Sequence, residues 1–478
     1  MSRLIVVSNR VSPPAPEGAS SQGGLAMAIS AALREYSGIW FGWSGNATPQ
    51  YTGQISMQRV GGVTVATIDL EDQDIEEYYN GYANRTLWPL FHYRIDLTQY
   101  ERSYGEGYAR VNKRFAETLV PLIEPDDIVW IQDYHLIPLG RELRERGVKN
   151  AIGFFLHIPW PARELMLTLP RHRQLVEALF HYDVIGFQTE EWKSAFQSYV
   201  MNDVDGMALS DGRVRAFGRT VRPQAFPIGI DAEGFAALRS SAVAQESFTR
   251  MQESKDGRRM LLGVDRLDYS KGIDERMLAF ERLLNESPEL KGEIFLLQIS
   301  TRTRSQVEAY QDMVSRLDSL SGRINGAFAE MDWVPIRSVH RMHTREELAG
   351  IYRAGDVALV TPLRDGMNLV AKEYVAAQDE ANPGVLILSR FAGAAQQMRE
   401  ALIVNPFSQE DVADAIRRAL AMPVEDRRRR WRALMDGVER EDILAWRNAF
   451  VAALHEARDE AARQGRPRPR IAATGNDG

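Results

Sequence analysis

Short runs that are apolar at nearly every position recur along this chain, separated by longer stretches of helical periodicity. Runs at 3–8, 63–70, 127–132, 151–156 and 184–188 come first; those at 260–264, 294–299, 357–361, 385–389 and 402–404 follow. A strand apolar on both faces is covered by helices on both sides, the condition of a parallel sheet. Stretches 106–123, 273–284 and 303–320 carry the helical pattern between them. This alternation predicts a doubly wound parallel α/β architecture.

The series breaks once. Residues 206–257 hold a polar stretch, a Pro-Ile-Gly turn at 227–229 and a charged helix ending in Ser-Lys-Asp-Gly. The break predicts two Rossmann-like halves, 1–240 and 241–440, facing each other across a cleft. One long helix is expected over 424–463, its 441–463 part returning toward the first half, with a disordered tail at 464–478. Ligands of such sheets lie beyond the carboxyl ends of the strands, and clefts between domains favour pockets.

Composition narrows the field. The 478 residues are 44% hydrophobic and 26% charged, enough for large cores, and the net charge of −7 argues against a general nucleic-acid or anionic-membrane binder. Zero cysteines remove disulfides, thiolate catalysis and Cys-ligated zinc. The first residues lack the apolar length of a signal peptide, and no run reaches a membrane span, so a soluble cytoplasmic protein is expected.

Candidate chemistry lies at predicted strand ends. Arg10 follows the first strand, and Gly23-Gly24 opens a helical run whose N–H groups suit a phosphate, or serves simply as a turn. Asp133 and His157 end two successive strand units and suggest a shared site, although His157 reads equally as a core histidine; His135 reads as structural. In 264–272, Arg266 and Lys271 face the start of a helix, either as a grip on a diphosphate or as a surface ion network. The segment 361–373 runs from a strand through Arg364-Asp365-Gly366 into a helix starting near Met367, whose first N–H groups suit phosphate. Glu373, two turns in, is placed to accept from a ribose diol or to face solvent.

Two other features carry less. Asp203-Val204-Asp205 matches a metal-binding Asp-x-Asp but follows a helix, which favours a loop. Arg427–Arg430 with Trp431 reads as a solvated helix face rather than a nucleic-acid patch. No histidine and carboxylate set has metal-ligand spacing, so no metal and no cofactor are expected.

Nine blocks together resemble the bacterial trehalose-6-phosphate synthases, glycosyltransferases of the two-Rossmann-domain (GT-B) fold. They are VVSNR (6–10), GGL (23–25), WFGWSG (40–45), EYYN (77–80), LWPLFHY (87–93), QDYHL (132–136), GFFLHIP (153–159), RLDYSKG (266–272) and TPLRDGMNLVAKEYVAAQ (361–378). The resemblance implies retaining transfer of glucose from a nucleotide sugar to glucose-6-phosphate, without metal, by front-face substitution. It implies Arg10 and Arg304 on the acceptor phosphate, with Tyr79, Trp88 and Asp133 around the acceptor sugar. On the donor side it implies Gly23 and Gly24, Arg266 and Lys271 on the diphosphate, Asp365 with the backbone of Leu369, Val370, Ala371 and Lys372, and Glu373 on the ribose. His157 would stand beside the transferred glucose.

Two departures follow. Gln132 replaces a histidine of familiar relatives and is expected behind the site, and His343 stands where a relative has an aromatic near the nucleobase. UDP-, ADP- and GDP-glucose therefore remain open as donors. A homo-oligomer, dimer or tetramer, is expected, with no nucleic acid or membrane partner. Two alternatives remain: a synthase using another phosphorylated acceptor such as glycerol-3-phosphate, and a catalytically silent regulatory subunit.

Overall fold

The computed structural model describes residues 3–11, 29, 33, 38–60, 62–301 and 308–463. Two sheets organise it. The first carries β1 (Leu4–Arg10), β2 (Ile39–Thr48), β3 (Ser56–Val60), β4 (Val63–Glu71), β5 (Ile128–Gln132), β6 (Ile152–Phe155), β7 (Val184–Phe187), β8 (Met207–Ala208), β9 (Val214–Ala216) and β10 (Arg219–Ala225). Their order is β3-β4-β2-β1-β5-β6-β7-β10-β9-β8. From β4 to β10 every pairing is parallel. The second sheet orders β11 (Arg259–Arg266), β12 (Ile294–Thr301), β13 (Ile336–Val339), β14 (Val357–Val360), β15 (Val385–Ser389) and β16 (Leu402–Val404) as β13-β12-β11-β14-β15-β16, all parallel.

Counted along its own half, the second sheet has the doubly wound order 3-2-1-4-5-6, and the six parallel strands β4-β2-β1-β5-β6-β7 of the first follow the same pattern. Strand order therefore reverses between β1 and β5 in the first half and between β11 and β14 in the second, where ligands gather in such folds. Arg10 ends β1 and Asp133 follows β5; Arg266 ends β11 and Thr361 follows β14. The polar signals of the sequence thus fall at both switch points.

Several boundaries differ from the sequence expectation. The break at 206–257 holds β10, whose parallel pairing with β7 is masked in sequence by arginines and a proline. The helix expected from 106 begins at Arg102 and ends at Leu119; that expected from 303 is described as Glu308–Phe328. The helix after Asp365 begins at Leu369, because Asn368 adopts φ 82°. The expected single helix over 424–463 is two, Val424–Arg440 and Ile443–Arg463. Asp442 accepts from the Ala445 amide at 2.7 Å and starts the second, as a capping residue does.

The chain passes between the halves twice, at 226–231 and 440–443, and the passages lie side by side. The Ile443 amide donates to Ile230 O at 3.0 Å. A Cβ on Gly229 would lie 2.1 Å from Glu441 O, so only glycine permits this approach. Ala232–Arg239 and Ala242–Lys255 pack with Arg345–Ala354 on the second sheet. Ile443–Arg463 returns to the first sheet, where Trp446 and Phe450, one turn apart, lie 5.0 and 4.6 Å from Trp130. Among the described residues no helix is long and apolar enough to cross a membrane. The 464–478 tail expected to be disordered lies outside the described residues.

Candidate active site in the cleft between the two sheets

Arg276 is the foundation of the second half's site. Its guanidinium is 1% exposed and donates to Asp265 at 2.6 Å, Gln298 at 2.8 Å, Thr361 at 3.0 Å and the Lys271 carbonyl at 3.4 Å. These partners come from the ends of β11, β12 and β14 and from the turn into Ile273–Glu286. One buried side chain thereby fixes the switch point, its charge compensated by Asp265 and its donors satisfied.

Above it, Lys271 Nζ lies 2.5 Å from Asp365 Oδ2, and Asn368 donates to the same oxygen at 3.1 Å. Burial works against the Asp365 carboxylate, but Lys271, His92 and Arg266 outweigh it and hold its pKa below the usual range. Arg266 differs: it is exposed, lies 5.8 Å over the Trp88 ring, and makes no ion pair among the described residues. A cation left unpaired at a switch point is available to an anionic ligand.

The halves meet around this pair. Trp88 donates to Asp268 at 3.4 Å, and Trp192 donates to Gly366 O at 3.4 Å. Arg364 reaches into an aromatic cluster, 3.5 Å over Tyr93 and 5.1 Å from Trp192. Gly366 presses against His157: a Cβ there would lie 1.9 Å from His157 O, so any side chain would force the halves apart.

His157 is held at both ring nitrogens. Gln188 Oε1 accepts from the Ile228 amide at 3.0 Å, which turns its Nε2 toward His157 Nδ1 at 3.3 Å. Nδ1 therefore accepts, Nε2 carries the proton, and Gln132 Oε1 accepts the Nε2–H hydrogen bond at 2.7 Å. Burial lowers the His157 pKa to about 3. The ring is neutral with both nitrogens engaged, so it orients its surroundings rather than accepting a proton. Asp133, at φ 73°, accepts from the His157 amide at 3.2 Å; such strain in a non-glycine residue is a mark of functional sites.

His92, deep in the same contact, donates from Nδ1 to Trp88 O at 2.7 Å, and burial lowers its pKa to about 4. Both His92 and His157 titrate below the unfolded value near 6.5. Their contribution to stability is complete above pH 6.5 and is lost as pH falls toward 4, because the unfolded chain then binds protons the native one refuses. Unfolding free energies from urea titration should fall across this window by about 1.4 kcal/mol per pH unit for each histidine. A His157→Gln variant should show a shallower slope; an identical slope would exclude His157 as a source.

On the first half, Arg10 lies 5.8 Å over Trp43, Trp43 meets Tyr79 at 5.7 Å, and Tyr79 stacks on His135 at 5.9 Å. Arg10 is exposed and makes no hydrogen bond or ion pair among the described residues. Gly23, Gly24 and Arg304 lie outside the described residues.

The remaining predicted residues divide. Leu369 and Val370 are half-buried at a helix start and Ala371 is buried, so Ala371 offers only backbone. Lys372 is expected to contribute through its backbone; its Nζ reaches Ile228 O and Gln397 Oε1, both at 2.7 Å, and ties the helix to the inter-half passage. Burial lowers its pKa to about 8. Glu373 lies 3.4 Å from the Tyr352 hydroxyl, and burial raises its pKa. His343 packs over its own segment, Nδ1 3.5 Å from Glu347, with burial lowering its pKa.

Asp203 is bound by Arg163 at 2.6 Å, and among the described residues no set of three His, Asp or Glu residues could hold a metal. Arg427 and Arg430 donate to the Pro383 and Glu400 carbonyls at 2.6 and 2.7 Å. These arginines cap neighbouring loops, a use that sequence alone does not reveal. His92 and Asn368 lie inside two of the recognised blocks and Gln188 ends the apolar run 184–188, whereas Trp192 has no such local signal.

Two facing doubly wound sheets, with arginines unpaired among the described residues at their switch points, define a two-Rossmann-domain, GT-B protein. A model of glycosyltransferase family 20 matches residues 3–456, and the chain belongs to that family. It is 47% identical over 461 residues to a trehalose-6-phosphate synthase of Sinorhizobium fredii, covering 96% of this chain and 99% of that protein. A UDP-forming α,α-trehalose-phosphate synthase of Burkholderia xenovorans in complex with glucose-6-phosphate matches with TM-score 0.90 and 49% identity, covering 95% of this chain and all of that one. The E. coli protein bound with UDP-2-fluoro glucose matches with TM-score 0.91 and 44% identity, covering 95% and 99%.

Proposed function

We propose that the protein transfers glucose from UDP-glucose to glucose-6-phosphate, giving α,α-trehalose 6-phosphate and UDP. The observation that carries this reading is the pair of unpaired arginines, Arg10 and Arg266, at the two facing switch points. The first half is the acceptor side, with Arg10 and Arg304 for the phosphate and Tyr79, Trp88 and Asp133 for the sugar. The second half is the donor side. Arg266, Lys271 and the amides that open Leu369–Ala377 receive the diphosphate, Asp365 the glucose, and Glu373 the ribose, while Gly23 and Gly24 approach from the first half.

The transfer retains configuration at the donor carbon. His157 lacks a free basic nitrogen, which supports a front-face path in which the departing phosphate oxygen takes the acceptor hydroxyl proton. The chain then contributes position and charge stabilisation of the leaving group, and closure excludes water. The reading includes a cytoplasmic location and a homo-oligomer.

The direct test supplies UDP-, ADP- and GDP-glucose separately against glucose-6-phosphate and glycerol-3-phosphate and identifies the product. Trehalose 6-phosphate from UDP-glucose is expected; turnover of glycerol-3-phosphate alone would overturn the acceptor. Arg10→Ala should raise the KM for glucose-6-phosphate tenfold to a hundredfold, the loss of about 1.5–3 kcal/mol in charge-assisted bonding, with a smaller change in kcat. An unchanged KM would remove Arg10 from the acceptor phosphate.

A further inference from the structure

Outside the cleft, a cavity of about 360 Å³ opens between the helices Ile75–Leu87, Arg102–Leu119 and His172–Leu179. That volume lies within the range of small-molecule sites. Its walls combine the rings of Tyr82, Tyr100 and Tyr108 with the guanidinium groups of Arg102, Arg141 and Arg171, against one carboxylate, Glu101. The cations are not equivalent. Arg102 is bonded to Glu106 at 2.7 Å, and Arg141 lies 3.8 Å from Glu142 and Glu145.

Arg171 stands apart: it is exposed, makes no hydrogen bond through its side chain and no ion pair among the described residues. It also holds φ 60°, a left-handed backbone that long side chains rarely adopt, at the first turn of His172–Leu179. Tyr82 adds an aromatic wall: its ring packs 4.4 Å from Tyr108, and the residue lines the same cavity.

We propose that this cavity is a second ligand site for a ring-bearing organic phosphate. The ring lies along Tyr82, Tyr100 and Tyr108, the Tyr82 hydroxyl bonds a polar substituent, and the phosphate meets Arg171 with support from Arg141. Arginine beside aromatic faces is suited to both parts of such a ligand. Occupancy is transmitted to the acceptor side because Tyr82 belongs to the helix Ile75–Leu87, which also carries Tyr79 and runs directly into Trp88. That helix is wound as a π-helix over 13 residues, a rare form frequent at functional sites. This coupling rests on the acceptor assignment above; the binding does not.

The test begins with the Arg10→Ala/Arg266→Ala double variant, in which the cleft is disabled. AMP, ribose-5-phosphate and inorganic phosphate are titrated into it by calorimetry. One molecule of AMP or ribose-5-phosphate per chain is expected, weakened at least tenfold by adding either Arg171→Glu or Arg171→Gln, with thermal melting unchanged. Binding of both organic probes would identify the sugar phosphate as the recognised unit, and binding of AMP alone would identify the base. No binding of either, equal binding by inorganic phosphate alone, or indifference to both Arg171 variants would overturn the site. In the wild type, saturating probe should change the KM for glucose-6-phosphate at least threefold, and Arg171→Glu should abolish the change while keeping the basal KM. Binding without such a change would overturn the coupling, while absence of transfer to glucose-6-phosphate would fault the proposed function and leave the binding result standing.

Discussion

Arg266→Ala is expected to lower kcat about 100- to 1,000-fold with both substrates saturating, the range found when one preorganised donor to a developing negative charge is removed, about 2.7–4 kcal/mol. The magnitude follows from its setting. Lys271 is already matched to Asp365, so its charge is shared within the protein. Arg266 has no such partner among the described residues and rests over Trp88, where the second half meets the first. It is therefore the cation whose full charge is available to a departing diphosphate. Because the guanidinium is exposed and unpaired, its removal leaves no buried charge behind, and thermal melting should be unchanged. Steady-state kinetics at saturating glucose-6-phosphate measure this effect, and retention of full kcat would remove Arg266 from leaving-group stabilisation.

Arg276→Leu should act on stability first. The leucine fills much of the space but strands Asp265 in a dry environment with its principal counter-charge gone, and it leaves Gln298 and Thr361 each short of a donor. Breaking a buried pair in this way costs about 3–5 kcal/mol. The denaturant midpoint of the variant should shift accordingly without a change in the slope with denaturant, which reports the surface exposed. An Asp265→Asn/Arg276→Leu double variant should recover part of the loss, since the stranded charge is then absent. A loss below about 1 kcal/mol in the single variant would mean that the network is solvated after all. Activity should decline in both variants, because the same side chain fixes the turn that presents Lys271.

Much of the site was legible in the chain because it is built on strand ends. An apolar run followed by a charged or glycine-containing turn is a local signal, and Arg10, Asp133, His157, Arg266, Lys271 and Asp365 all lie just after such runs. Strand β10 was missed for the converse reason. It lies near the sheet edge, beside the short antiparallel β9, where one face tolerates arginine, and its alternation is spoiled by Pro223. Likewise the two C-terminal helices share one unbroken helical periodicity, and their separation at Asp442 follows from the chain crossing between halves, which no local pattern records.

Lys372 and His157 mark the boundary most clearly. Nothing within the signature 361–378 shows where the lysine's ammonium goes; it is drawn to the carbonyl of Ile228, 144 positions earlier, because a buried donor must find an acceptor at whatever sequence distance. His157 could not be assigned a protonation state from sequence at all. Its tautomer depends on Gln188, whose own orientation is fixed by the Ile228 amide. The sequence by itself determined the doubly wound class, the residues at the strand ends and the family, because these rest on periodicity and contiguous blocks. The tertiary structure alone decided which cations are spent on internal partners and which remain for a ligand. Pairing depends on burial and three-dimensional neighbours, and these exist only after the chain has folded.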